Sequence, residues 1–73
     1  MQEKKLSDGT WLVAPDGVNI NSTHLHVAPD GKILSHKVGG VHSYKYSDTR
    51  ADLSSLWEKI TGDANKFPKG WRP

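Results

Sequence analysis

Apolar and polar positions alternate in short runs up to about residue 46, and a helical spacing then takes over. The runs 10–14, 18–21, 23–28, 32–38 and 41–46 are rich in β-branched or aromatic residues and bounded by Gly, Pro, Asn and Asp, the pattern of short strands. Between 50 and 61, Leu53, Leu56, Trp57 and Ile60 recur at i, i+3, i+4 and i+7. That spacing makes one apolar stripe on a helix. Thr49 and Asp52 suit its start and Gly62 the position just past its end. The pattern predicts a single α+β domain over residues 1–73, an antiparallel meander of four to five strands with a C-terminal helix on one face. Residues 62–73 follow as an irregular tail.

The turns set the expected pairing. "VAPDG" occurs at 13–17 and again at 27–31. Pro fixes φ, Asp suits the next position, and Gly takes the left-handed conformation that closes a three-residue hairpin. Two copies are one good turn used twice, since a solenoid needs three or more repeats. Counting outward pairs Leu12 with Ile20 in the first hairpin. In the second it pairs Ala28 with Lys32, Val27 with Ile33, His26 with Leu34, and His24 with His36. Gly39-Gly40 is a two-residue turn that sets Val38 against Val41 and His36 against Ser43.

Because side chains alternate along a strand, these registers sort the chain into two faces. One gathers Leu12, Ala14, Val18, Ile20, Leu25, Val27, Ile33, Tyr44 and Tyr46, and the helix should cover it. The other gathers Trp11, Val13, Asn19, Asn21, His24, His26, Leu34, His36, Ser43 and Lys45. His42, opposite Lys37, is expected on the covered side near the rim.

Composition narrows the classes of function. The chain has 73 residues, no cysteine and a formal charge of +2 from ten Lys and Arg against eight Asp and Glu. Without thiols there is no disulfide and no Cys nucleophile or ligand, which fits a reducing compartment. The opening "MQEKKLSDG" lacks the apolar run of a secretory signal, and no stretch is long enough to cross a bilayer, so a cytoplasmic protein without a membrane partner is expected. The small positive excess does not by itself mark a nucleic-acid binder.

The chemistry rests on the imidazoles. His24, His26 and His36 are expected together on the open face. Three imidazoles are chemically enough for zinc, but no Cys, Asp or Glu accompanies them as further ligand or supporting carboxylate, so no metal or other cofactor is expected. With Lys45 or Lys32 and Ser43, they could act as acid, base and phosphate stabiliser in a metal-independent, toxin-like ribonuclease. As a binding surface, Trp11, Asn19, Asn21, His24, His26, Lys32, His36 and Lys45 offer rings to stack on bases and donors for phosphates. In the tail, Phe67 and Trp71 with Lys69 and Arg72 are packing groups or anchors for a partner. In order of elements alone, with no shared motif, the chain resembles small DNA-binding domains such as the arm-binding domain of phage integrases. The leading expectation is a non-enzymatic binding module with nucleic acid as ligand. A ribonuclease and a protein-interaction or self-associating domain are the alternatives.

Overall fold

The computed structural model describes residues 1–43 and 53–62. Five strands form one antiparallel sheet in chain order: β1 (Gln2–Lys5), β2 (Trp11–Ala14), β3 (His24–Val27), β4 (Ile33–Val38) and β5 (Val41–Ser43). Among the described residues one helix follows, α1 (Leu53–Thr61). The α+β meander expected from the pattern is therefore present. The expected tyrosines at 44 and 46, the helix start at 49–52 and the tail at 63–73 lie outside the described residues.

Two of the strand assignments differ. β1 has the polar sequence QEKK and carries no alternating apolar signal, yet it pairs with β2 from Gln2 opposite Ala14 to Lys5 opposite Trp11. A charged edge strand of this kind resists pairing with other chains. Its turn repeats a motif already met. The Leu6 amide donates to the Thr10 carbonyl and the Gly9 amide to the Leu6 carbonyl, as Ala28 does to Lys32 and Gly31 to Ala28. Gly9 and Gly31 both take positive φ, +89° and +92°. In each turn, the Asp side chain accepts the amide two residues on, at Thr10 and at Lys32.

Residues 18–21, expected as a strand, instead form turns within a long connection between β2 and β3. Asn19 organises it: its side chain accepts the Asn21 amide, and its carbonyl accepts the Ser22 and Thr23 amides. The first Pro-Asp-Gly therefore opens a connection and not a hairpin. The edge of β2 that the 18–21 segment would have occupied is taken by β1. Gln2 ties the connection down, its Nε2 donating to the Pro15 and Val18 carbonyls at 2.9 and 2.6 Å.

The core lies on one side of the sheet. Val13, Leu25, Val27 and Ile33 pack with Leu53, Leu56 and Trp57 of α1, and Met1, Trp11, Val38 and Ile60 flank them. The helical stripe is as the spacing predicts, and Gly62 ends it with φ +71° and an amide bond to the Glu58 carbonyl. On β2, however, Trp11 and Val13 face the helix where Leu12 and Ala14 were expected, because Val13 opposes Leu25 and Leu12 opposes His26. All four residues of WLVA tolerate burial, so the sequence of β2 alone does not decide which face turns inward.

Trp57 is the largest fully buried side chain. Trp57→Ala is expected to cost roughly 3–5 kcal/mol, read as a lowered midpoint in urea or thermal unfolding. A domain this small has little more stability than that to lose.

Candidate functional site

The site is decided by one extra residue in β4. Val27 opposes Ile33 as expected, but His26 then opposes Ser35, Leu25 opposes His36, and His24 opposes Lys37. A β-bulge between His26 and Val27 on one side, with Leu34 as the additional residue on the other, shifts the register. Alternation gives the reason. Without the bulge, Ile33, Ser35 and Lys37 would face the helix. With it, Ile33, His36 and Val38 do, so an apolar group replaces a lysine against the core and Lys37 turns outward.

The expected trio of His24, His26 and His36 is therefore not on one face. Opposed residues point the same way, so His36 shares the helix side with Leu25 and Ser43. Half-buried there, it has its imidazole pKa lowered by burial. His42 takes the vacated role. It opposes Lys37, which opposes His24, so all three project from the face turned away from the helix. The His24 and His42 ring centroids are 6.4 Å apart.

The remaining candidates fall elsewhere. Trp11 lies on the helix side, with Lys5 Nζ 5.9 Å from its ring centroid. Asn19 and Asn21 serve the β2–β3 connection. Lys32 sits in the β3–β4 turn beside Asp30, with its Nζ 4.0 Å from Oδ2. Lys45, Phe67, Lys69, Trp71 and Arg72 lie outside the described residues.

Two rows build the outer face. One runs Lys4, Leu12, His26, Ser35; the next runs His24, Lys37, His42, with Gln2 and Ala14 at its β1–β2 end. Among these strand residues there is no carboxylate; Glu3 opposes Val13 on the helix side. The β2–β3 connection closes over one end, where Gln2 bonds it and His24 Nδ1 donates to the Ile20 carbonyl at 2.5 Å. His24 is buried, His26, Lys37 and Leu12 are half-buried, and Lys4 and His42 are exposed.

Each of two imidazoles has one nitrogen committed. His24 uses Nδ1 on a carbonyl, which only accepts, so Nδ1 carries the hydrogen. His26 Nε2 lies 2.7 Å from the Thr10 hydroxyl, whose own proton goes to Asp8 Oδ1 at 2.5 Å. Burial holds the His24 pKa down, against the bond to Ile20, with Lys37, His26 and His42 adding smaller repulsions. The Thr10 hydroxyl and amide hold the Asp8 carboxyl below the usual carboxylate range. Among the described residues, no group of three or more His, Cys, Asp and Glu is placed to hold a metal ion, and no concave pocket is formed. No helix among them is long and apolar enough to cross a membrane. Comparison with protein-family models, curated proteins and solved structures finds no match.

Sequence reasoning missed Lys4, Lys37, His42 and the Asp8–Thr10 pair. The first of three Asp-Gly pairs, at 8–9, was available to place the β1 hairpin, and with it Lys4 and Thr10.

The titration of His24 and His36 gives a pH dependence of known sign. Both fold with pKa values below the unfolded imidazole value of about 6.5. Their contribution is complete above that value, where both states are neutral, and is lost as pH falls, because the unfolded chain takes up protons first. The urea midpoint should thus decline from pH 7 to pH 5, and His24→Gln should flatten part of that decline. A midpoint that rises over this range would contradict the burial of both rings.

Proposed function

We propose that the sheet face turned away from the helix binds single-stranded nucleic acid, without catalysis. The observation that carries this reading is the charge pattern of that face. Lys4 and His42 are exposed on it and Lys37 and His26 half-exposed, with the His24 ring buried beside them, and no carboxylate accompanies them among the described strand residues. Lysines held on a strand lattice can contact the phosphates of a strand laid across them. Leu12 and the rings of His26 and His42 offer flat or apolar surface for sugars and bases. A protein partner fits less well, since the charges are on the surface and its centre holds few large apolar groups.

The ribonuclease alternative draws no comparable support. His36, one of its three imidazoles, faces the helix, and His24 is buried beside the β2–β3 connection. A shallow face with no pocket among the described residues suits contact better than the water-excluding geometry of proton-transfer catalysis.

Binding through phosphates releases counterions and must weaken with salt. With Lys4 and Lys37 as the contacts, the slope of log K against log salt should be about −1.4 on single strands. Lys37→Ala should weaken binding evenly across sequences and remove roughly half of that slope. Affinity that is flat with salt, or unchanged by both Lys4→Ala and Lys37→Ala, would sink the proposal.

A further inference from the structure

A short hydrogen-bond chain fixes which nitrogen of His26 is available to a ligand. Asp8 Oδ1 accepts the Thr10 amide at 2.9 Å and the Thr10 hydroxyl at 2.5 Å. A hydroxyl has a single proton. With that proton donated in a hydrogen bond to the carboxylate, the Thr10 oxygen is left to accept from His26 Nε2, 2.7 Å away. Nε2 therefore carries the hydrogen, and in the neutral ring Nδ1 carries a lone pair. The same bonds to Thr10 keep Asp8 ionised, so the direction of the chain is held.

The surroundings say what such a lone pair can recognise. His26 sits between Leu12 and Ser35 in its row, with Lys4 beyond Leu12 and Lys37 in the next row. The lysines donate, and phosphate oxygens only accept, so those two match each other. A phosphate leaves an imidazole lone pair without a partner. The group that a nucleic-acid strand can present to it beside its phosphates is the ribose 2′-hydroxyl, which donates and which DNA lacks. Amino groups of the bases also donate, but they occur in both nucleic acids and cannot produce a preference.

We propose that His26 Nδ1 accepts a hydrogen bond from a ribose 2′-hydroxyl, so that the outer sheet face selects RNA over DNA. This rests on the nucleic-acid reading above and names the class of strand that the face takes. Asp8 and Thr10 are positioning residues: they hold the tautomer and do not touch the strand.

The test uses three fluorescent oligonucleotides of one sequence, about 12 nucleotides long: RNA, DNA and 2′-O-methyl RNA, which keeps the oxygen but loses the donor. They are titrated with the full chain at low salt and mildly alkaline pH. RNA should bind roughly tenfold tighter than the other two, the scale of one well-placed hydrogen bond. His26→Ala should bring RNA to the DNA level, with any loss of DNA affinity smaller than the loss for RNA. Thr10→Val should erode the RNA preference, and Thr10→Ser should restore it. Imidazole nitrogen-15 spectra read the tautomer directly: hydrogen on Nε2 of His26 in the native chain, and a mixture in Thr10→Val, with amide spectra showing that each variant is folded. Equal affinity for RNA and DNA, a preference that survives His26→Ala, or hydrogen on Nδ1 of native His26 would overturn the inference while leaving nucleic-acid binding intact. If none of the three strands binds at low salt, the proposed function itself fails and takes the RNA preference with it.

Discussion

The single additional residue in β4 governs what each face of the sheet carries. Side chains alternate with a period of two, so one inserted residue reverses every position beyond it. Here the reversal begins at Leu34, after Ile33 has been placed against Val27. It brings Val38 to the core and sends Lys37 outward. Burying Val38 is favourable and burying the lysine would be costly. His36 accompanies Val38 to the helix side as a consequence, and its depressed pKa records the burial it meets there. The same shift unites His24, Lys37 and His42 on the outer face.

Around that constraint, the fold assembles from repeated local devices. Two Asp-Gly turns with matching hydrogen bonds make the β1–β2 and β3–β4 hairpins, and Gly39-Gly40 makes the third, between β4 and β5. Trp57 and its stripe close one face of the resulting sheet. The other face is held in part by polar contacts, with Gln2 and His24 bonded to carbonyls of the β2–β3 connection. Those contacts also shape chemistry. The bond that secures the connection to His24 selects its tautomer, and the Asp8–Thr10 turn does the same for His26.

Much of this was legible in the residues. The helix stripe, the Val27–Ile33 pair, the Gly39-Gly40 turn with Val38 opposite Val41, and the class of fold all follow from spacing and turn chemistry. β1 was not legible by periodicity, because Gln-Glu-Lys-Lys has no apolar face; only the Ser-Asp-Gly after it pointed to a hairpin. The 18–21 segment misled because Val18 and Ile20 alternate as in a strand, while Asn19 has the side chain that captures local amides and bends the chain. The bulge was the decisive loss. "ILSHKV" reads smoothly as one strand, and its interruption becomes visible only by asking whether Lys37 or Val38 should face a core. That question would have separated His36 from His24 and brought in His42.

The register of β3 against β4 is the claim on which the outer face stands, and backbone nuclear Overhauser contacts measure it most directly. The bulged register places the His24 backbone across from Lys37 and that of Leu25 across from His36, and inter-strand amide and α-proton contacts should connect those pairs. Contacts linking the His24 backbone to His36 instead would mean an unbulged ladder, with Lys37 against the core and a different set of imidazoles facing outward.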